Sequence, residues 1–147
     1  MIIRPLTADD RDAWNPLWEG YLRFYKASIA PATSEMTFAR LTGGSEPMGG
    51  FLAIDAEGRA VGLVHWILHR SCWTVGDYCY LQDLFVSENQ RGGGVGRALI
   101  EAVYAKAAEH GAARVYWLTH ETNTTAMTLY DKVAERSGFI QYRKILA

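Results

Sequence analysis

Residues 80–110 contain the side chains and backbone groups that are best suited to bind a ligand. They read as an apolar strand, a short polar link, a glycine-rich turn over residues 91–97 and an amphipathic helix. A turn made almost wholly of glycine leaves its backbone N–H groups uncovered, because glycine has no side chain. Those donors and the positive end of the following helix favour a bound phosphate. The stretch therefore predicts an anion site.

Two common phosphate loops do not match this turn. A Walker loop requires Gly-x-x-x-x-Gly-Lys-Ser/Thr, and the sequence contains no such string. A dinucleotide fingerprint, Gly-x-Gly-x-x-Gly, fails because Arg97 or Leu99 occupies the position of its last glycine. The pattern that remains is Arg91-x-x-Gly94-x-Gly96, between a strand and a helix.

This pattern resembles the pyrophosphate loop of the GCN5-related N-acetyltransferase (GNAT) superfamily, whose signature is Gln/Arg-x-x-Gly-x-Gly/Ala. The resemblance extends along nearly the whole chain. The motifs that follow the family's order are the Ile-Arg-Pro start, the strand with Gly62, Leu84-Phe85-Val86, the glycine turn, Asn123, Leu129-Tyr130 and Gly138-Phe139. Within the superfamily, residues 80–86 and 116–123 are most similar to the yeast Hpa2/Hpa3-type branch, and more distantly to polyamine and thialysine acetyltransferases.

The resemblance implies a cofactor and an activity. The cofactor is acetyl-CoA, and the enzyme is an N-acetyltransferase that moves the acetyl group to a primary amine by direct attack in a ternary complex. The turn's N–H groups would hold the pyrophosphate, and the strand before it would meet the pantetheine arm, with an N–H near Leu84 polarising the thioester. The implied cofactor-binding residues are Leu84, Phe85, Val86, Arg91, Gly92, Gly93, Gly94, Val95, Gly96, Arg97, Asn123 and Tyr130. Arg91 and Arg97 could add charge-assisted bonds or simply be solvated, and Asn123 could also cap a helix.

Acetyl transfer to an amine needs an acid for the departing thiolate and a base for the ammonium. Tyr130 matches the family's tyrosine, so we assign it the acid role, although it could instead be a packing residue. Several polyamine-type relatives have a glutamate at the position of Gln82, and an amide is not a useful base. Asp83 comes next, but strand alternation directs it to the opposite face unless a β-bulge turns it back.

Histidines are the other titratable candidates. His120, beside Glu121 at the end of the next strand, is a second possible base, and we favour a water chain that ends on Asp83 or His120. His65 and His69 share a face of one strand, where each reads as a surface or hydrogen-bonded histidine rather than a catalyst.

Aromatic residues predict the acceptor site. The substrate residues are Trp18, Tyr21, Tyr25, Tyr78 and Gln82, with Trp66 as a further wall, although the first helix's aromatic stripe could equally be a core face. Such walls suit a small amine, and small amino acids or related amines fit best. A protein or histone lysine, a polyamine, and a non-catalytic acetyl-CoA sensor remain alternatives; Gln82 keeps the sensor open.

The periodicity of the apolar residues predicts the helices and strands that hold these groups. Strands are predicted over 2–4, 51–55, 60–69, 78–86, 114–119 and 139–146, and helices over 10–25, 34–41, 95–110 and 122–136. Residues 43–50 read as a loop. One crossover implies a parallel pair and the hairpins imply antiparallel pairing, so the expected fold is α/β: a mixed sheet with helices on both faces. The GNAT resemblance implies the acyl-CoA N-acyltransferase version, mostly antiparallel with a central splayed parallel pair.

Composition limits the remaining possibilities. The 147 residues are 49% hydrophobic and 21% charged, which predicts a single domain over 1–147. The net charge of −1 argues against nucleic acid as a partner. Cys72 and Cys79 predict reduced thiols without a metal site, and no apolar run or leader pattern suggests a membrane or export, so we expect a cytoplasmic protein. Family members generally have two strands after the last helix, whereas here one is predicted, so we expect residues 139–146 to complete a homodimer.

Overall fold

The computed structural model describes residues 1–147, which form one five-stranded sheet and four α-helices. The elements in chain order are β1 Ile2–Pro5, α1 Arg11–Phe24, α2 Pro31–Thr42, β2 Met48–Ile54, β3 Ala60–His69, β4 Tyr78–Val86, α3 Val95–Glu109, β5 Arg114–Tyr116 and α4 Thr124–Val133. The strands lie in the order β1-β2-β3-β4-β5. Every pair is antiparallel except β4 and β5. The predicted mixed α/β fold is confirmed.

The sheet has helices on both faces because its strands are apolar on both sides. Helices α1 and α2 cover one face, where Trp14, Leu17 and Phe38 pack on Leu52 and Leu63. Helix α3 covers the other face through its buried stripe, which includes Leu99, Ile100 and Val103. Near-continuous apolar strands of this kind are typical of sheets buried on both faces. No helix is long and apolar enough to cross a membrane.

Strand β4 contains the irregularity that shapes the site. Its pairing with β3 shifts between His65 and Trp66, so that His65 pairs with Asp83 while Trp66 pairs with Leu81. Gln82 is therefore the extra residue of a β-bulge, which restarts the alternation of side chains. Beyond Tyr80 and Tyr116, β4 and β5 no longer pair. The parallel pair is thus splayed from the bulge onwards, as the GNAT resemblance implied.

A buried carboxylate fixes the approach of β1 to α1. Asp10 receives both guanidinium nitrogens of Arg4, at 2.8 and 2.9 Å, and the backbone N–H of Thr7 at 2.7 Å. These bonds, led by the one from Arg4, lower the pKa of Asp10 from 3.8 to about 2. The ion pair therefore holds the first strand against the turn that starts α1.

Several predicted boundaries differ from the structure. Helix α2 begins at Pro31, three residues earlier than expected, since proline suits the first helical position. The predicted loop over 43–50 is wrong at its end, because β2 begins at Met48. Gly49 belongs to this strand, and its lack of a side chain leaves room for the Trp66 ring. Strand β5 ends at Tyr116, and α4 ends at Val133.

The last predicted strand, over residues 139–146, is absent. This segment forms no regular structure, and Phe139, Tyr142 and Leu146 are each about nine-tenths exposed (89%, 90% and 89%). Its apolar sequence suits a strand, but a strand exists only when a neighbour supplies hydrogen-bond partners. The sheet of the single chain pairs no strand with it.

Candidate active site

Asp83 lies at the centre of a hydrogen-bonded cluster that the bulge creates. The carboxylate oxygen Oδ2 is 2.9 Å from His65 Nδ1, and Trp14 Nε1 is 3.0 Å from His65 Nε2. An indole N–H can only donate, so Nε2 must accept, and the single ring proton of a neutral imidazole is on Nδ1. His65 therefore donates to Asp83, which accepts as a carboxylate. Only 2% of His65 is exposed, so this orientation is protected from water.

Tyrosines surround the same carboxylate. Burial, and then the charge of Asp83, raises the pKa values of Tyr21, Tyr25 and Tyr80. Burial and the neighbouring Tyr25 raise the pKa of Tyr130 to about 12. Tyr130 also packs edge-on against Trp117, with ring centroids 5.4 Å apart. These phenols stay protonated at neutral pH, so they can donate hydrogen bonds but carry no charge.

A cavity of about 300 Å³ opens beside Asp83. Its lining residues are Trp18, Thr37, Arg40, Leu41, Met48, His65, Ile67, Gln82 and Asp83. The bulge places both Gln82 and Asp83 in this lining, although strict alternation would separate neighbouring side chains. A volume of this size suits a small molecule.

The predicted substrate residues fall into two groups. Trp18 and Gln82 line the cavity, and Tyr21 and Tyr25 continue the aromatic row of α1 away from Trp18, with centroid distances of 5.5 and 5.0 Å. Tyr78 lies elsewhere, at the start of β4, where it packs on His69, Tyr116 and Arg114.

The prediction of Trp66 as a pocket wall is wrong. Its ring lies on the opposite face of the sheet, packed into the α3 core with Lys106 over it. Alternation along β3 explains the position, because Trp66 follows His65, which faces α1.

Two residues that sequence reasoning did not assign to the site belong to it. His65 was read as a surface or hydrogen-bonded histidine; it is hydrogen-bonded, but its partner is the candidate base. Arg40 lines the cavity from α2 and was not noticed, since an arginine on a helix surface is ordinarily solvated. The only sequence feature that marks Arg40 is its position next to Leu41, an apolar residue of the same predicted helix.

The glycine turn presents unused backbone donors. None of the N–H groups of Gly92, Gly93 and Gly94 donates to another protein group, and the first bond of α3 is Ala98 N–H to Gly94 O, 3.0 Å. Gly92 and Gly94 have φ values of 85° and 84°, which favour glycine. A Cβ at Gly96 would lie 3.4 Å from Leu129 of α4, an ordinary van der Waals contact. The turn is thus a bare row of donors at a helix start, the geometry that an anion needs.

The arginines that flank the turn are engaged within the protein. Arg91 donates through Nε to the Val86 carbonyl, at 3.1 Å, and its guanidinium lies 5.4 Å from the Phe24 ring and 5.7 Å from the Phe85 ring. Arg97 pairs with Glu101 on the surface of α3 at 3.0 Å. Arg91 therefore connects the turn to the end of α1, whereas Arg97 remains exposed.

Between the turn and the bulge, residues 81–86 of β4 have one free edge, since β5 has parted from them. Within Leu84–Val86, the backbone groups that do not bond β3 therefore face the splay rather than another strand. Asn123 stands at the start of α4, and its amide donates weakly to Thr119 Oγ1 at 3.4 Å. Asn123 is thus the N-cap residue, as expected, but its side chain makes no capping hydrogen bond and its amide is available to a ligand.

His120 is not joined to the Asp83 cluster. Its Nδ1 accepts from the Thr122 hydroxyl at 2.7 Å and the Thr122 N–H at 3.2 Å, in an exposed turn. No group of three His, Cys, Asp or Glu side chains is arranged to hold a metal ion. The chemistry of the site thus rests on a carboxylate, tyrosines and backbone donors.

Comparisons with known proteins agree with this arrangement. The family model described as "Acetyltransferase (GNAT) family" matches residues 12–134. The D-amino-acid N-acetyltransferase HPA3 of Saccharomyces cerevisiae is 39% identical over 145 residues, which cover 98% of this chain and 90% of that protein. The uncharacterized N-acetyltransferase YhfO of Bacillus subtilis is 28% identical over 145 residues, 97% of this chain and 95% of that protein.

Solved structures share the fold. A probable acetyltransferase aligns with a TM-score of 0.87 and 24% identity, over 100% of this chain and 99% of that one. AAC(6')-Iy, in complex with the bisubstrate analogue CoA-S-monomethyl-acetylneamine, aligns with a TM-score of 0.84 and 19% identity, over 99% of this chain and 98% of that one.

Proposed function

Because the chain belongs to the acetyltransferase (GNAT) family and is an acetyl-CoA-dependent N-acetyltransferase, we propose that its acceptor is the primary amine of a small amino acid or related amine. The amine attacks the thioester directly while both substrates are bound. The observation that carries this proposal is the Asp83 carboxylate, which His65 and the bulge hold inside a cavity of about 300 Å³. The similarity to a protein named D-amino-acid N-acetyltransferase supports an amino acid as acceptor.

The residues of the turn and the splay fit coenzyme A. The free N–H groups of residues 92–94 and of the first turn of α3 would hold the pyrophosphate, and the bare α-carbons of the glycines let it approach. The free edge of Leu84–Val86 would bond the pantetheine arm, and the Asn123 amide adds a donor. When bound, acetyl-CoA supplies an activated acetyl group whose leaving group is a thiolate.

Asp83 is the proposed proton acceptor. An alkyl ammonium with a pKa near about 10 must lose a proton before the amine can attack. Asp83 accepts from His65 through Oδ2 and lines the cavity, so its carboxylate can hold the ammonium there and take the proton directly or through a water. A neutral glutamine at position 82 cannot do this, so the base is the next residue along the bulge.

Tyr130 is the proposed acid. Its phenol, with a pKa of about 12, is a weaker acid than a thiol, whose pKa is about 8.5. Complete proton transfer to the thiolate is therefore uphill, and we assign Tyr130 the task of donating a hydrogen bond to the departing sulfur. His120 has no contact with Asp83 in the structure, so we rank it below Asp83 as the base.

The decisive experiment is a screen of amino acids and amines with acetyl-CoA that reads thiol release, for the wild type and Asp83→Asn. We expect kcat/KM to fall by about 10²- to 10⁴-fold in the variant, the range of general-base effects, with acetyl-CoA affinity unchanged. Asp12→Asn is the control, because Asp12 is an exposed carboxylate on α1 with no partner. Wild-type turnover by Asp83→Asn would contradict the assignment of the base, and cofactor binding without turnover of any amine would contradict the proposed function.

The enzyme is proposed to act as a homodimer of single-domain chains. Residues 139–146 expose the apolar side chains of Phe139, Ile140, Tyr142, Ile145 and Leu146. If the segment becomes a strand, alternation would place Ile140, Tyr142 and Leu146 on one face and Phe139 and Ile145 on the other. A strand apolar on both faces suits a position covered from two sides. The outer edge of β5 is unpaired, so a second copy can offer the missing neighbour.

The proposed compartment is the cytoplasm. Both cysteines are free thiols, Cys72 exposed and Cys79 buried. Burial raises the pKa of Cys79 to about 11, so this thiol is unreactive. Free thiols are typical of reducing compartments.

A further inference from the structure

The guanidinium of Arg40 lines the acceptor cavity without a partner. It makes no hydrogen bond, ion pair or cation–π contact, whereas Arg4, Arg11 and Arg59 all pair with carboxylates. Arg40 is an exposed residue of α2, one residue before the buried Leu41, and it stands at the rim of the cavity. An unpaired guanidinium beside a small-molecule cavity is a ready receptor for an anion.

The same cavity holds the opposite charge at Asp83. An acceptor that satisfies both groups must carry a cation and an anion, and a free amino acid at neutral pH carries an ammonium and a carboxylate. A polyamine would bring a second cation towards Arg40, and a lysine within a protein has no free carboxylate. We propose that Arg40 binds the acceptor's carboxylate while Asp83 binds its ammonium, so that the substrate class is free amino acids; this rests on the proposed function.

The rest of the lining fits the remainder of such a molecule. Leu41, Met48 and Ile67 give the cavity an apolar wall for a side chain, and Trp18 closes it from α1. Trp18 is fixed there by its Nε1–H bond to Ser34 Oγ, 2.9 Å. Arg40 is thus a specificity-determining residue, because it distinguishes amines that carry a neighbouring carboxylate from amines that do not. Asp83 binds the ammonium that all of these acceptors share.

The test compares an amino acid with amines of the same shape that lack the charge. Leucine, leucinamide and isoamylamine are assayed with acetyl-CoA for the wild type, Arg40→Gln and Arg23→Gln. Arg23 is the matched control, since it is an exposed arginine of α1 that is likewise unpaired but outside this cavity. We expect Arg40→Gln to lower kcat/KM for leucine by about 10- to 100-fold, the usual effect of losing a charge-assisted pair. The values for isoamylamine should stay within about twofold, since it has no anionic group for Arg40. The KM of acetyl-CoA should be equally unaffected, since its pyrophosphate is proposed to bind at the glycine turn rather than beside Arg40.

An equal loss for leucine, leucinamide and isoamylamine in Arg40→Gln, or a wild-type kcat/KM for isoamylamine above that for leucine, would overturn the assignment of Arg40. Calorimetric titration of leucine into the CoA-saturated protein separates this inference from the proposed function. Leucine binding that weakens in Arg40→Gln but not in Arg23→Gln supports the receptor even if no amine is acetylated. Leucine binding that is equal in all three proteins, or absent from the wild type, contradicts it.

Discussion

The carboxylate of Asp83 is useful only because each of its neighbours has a fixed role. Trp14 donates to His65 Nε2, which forces the ring proton onto Nδ1 and towards Asp83 Oδ2. One buried indole thus fixes the tautomer of the histidine that holds the candidate base.

Tyr130 yields a prediction about pH. Its pKa of about 12 means that the phenol keeps its proton at every pH below about 11, so its contribution should not weaken on the alkaline side. We expect Tyr130→Phe to lower kcat by about 10- to 100-fold, because one hydrogen bond to the leaving sulfur is lost. The ratio of wild-type to variant kcat should be constant from pH 7 to pH 10.

The measurement is kcat at saturating substrates across that pH range. Equal kcat in both proteins would remove Tyr130 from the mechanism. A ratio that declines towards one above about pH 9 would show instead that the phenol ionises near its ordinary pKa of about 10.

For individual residues, the sequence predicted which side chains belong to the site better than it predicted which residues they contact. Asp83, Gln82 and Trp18 were predicted to belong to the site, and the structure places all three around one cavity. The pairing of His65 with Trp14 joins residues 51 positions apart, and no local pattern encodes such a contact. Arg40 could not be distinguished from a solvated arginine until the cavity beneath it was known.

The glycine turn and the helix that follows it act as one element. Gly94 has a φ of 84° and precedes the first residue of α3, and no atom lies within 4 Å of an added Cβ. Gly94→Ala therefore causes backbone strain of about 1–2 kcal/mol without a clash, and its methyl group stands where the pyrophosphate would approach. We expect the KM of acetyl-CoA to rise by about tenfold or more, since the row of N–H donors is displaced.

Gly58→Ala is the control for this prediction. Gly58 lies in the turn between β2 and β3 with a φ of 81° and equally open surroundings. Both variants should lose similar stability, but only Gly94→Ala should lose affinity for acetyl-CoA. A similar rise of KM in both would show that the effect comes from global destabilisation.

The ion pair between β1 and the start of α1 gives a prediction about stability. The native carboxylate of Asp10 stays charged down to about pH 2, whereas in the unfolded chain it takes a proton near pH 3.8. Between those values the unfolded state binds more protons, so stability is lost as pH falls through this window and is fully present above it. Because Arg4 is 40% exposed and solvent screens the pair, Asp10→Asn should cost only about 1–2 kcal/mol at pH 7.

Urea unfolding followed by tryptophan fluorescence at pH 7 and pH 3 checks this expectation. The difference between Asp10→Asn and the wild type should shrink at the lower pH. Asp9→Asn, at the exposed neighbouring carboxylate, should change neither value. An Asp10→Asn effect that is equal at both pH values would mean that packing rather than charge holds this corner.

Helices and strands that have a clear apolar periodicity were predicted well. The strand that needs a neighbouring strand for its hydrogen bonds was not. Strand β4 and helix α1 agree with their predicted ranges to within a residue or so, because apolar spacing and buried faces coincide there. The bulge at Gln82 entered the prediction through the family resemblance, and the resemblance to the Hpa2/Hpa3-type branch agrees with the 39% identity to HPA3. The strand over 139–146 failed because hydrogen bonding to a neighbour, which sequence periodicity does not supply, determines whether such a segment pairs.

At the scale of the whole molecule, the two halves of the reaction are built on different parts of the sheet. In the proposed mechanism, the glycine turn and the free edge of β4 serve the acetyl donor, while α1, α2 and β3 enclose the acceptor. Asp83 and Tyr130 stand on the elements where the two halves meet. The donor half carries a recognisable motif, whereas the acceptor half is assembled from distant residues, which is why the sequence predicted the acceptor half only in part.

The segment over 139–146 exposes five large apolar side chains, and it gives the last prediction. If a second copy covers it, size-exclusion chromatography with light scattering at micromolar concentration should give about twice the chain mass of 16.4 kDa. Ile140→Asp should return the protein to a single chain, because it places a charge in the buried interface, where burial without a partner costs several kcal/mol. Ser45→Asp adds the same charge at an exposed loop position outside the segment and should leave the dimer intact. A clean monomer in the wild type, or the same mass for both variants, would contradict the proposed dimer.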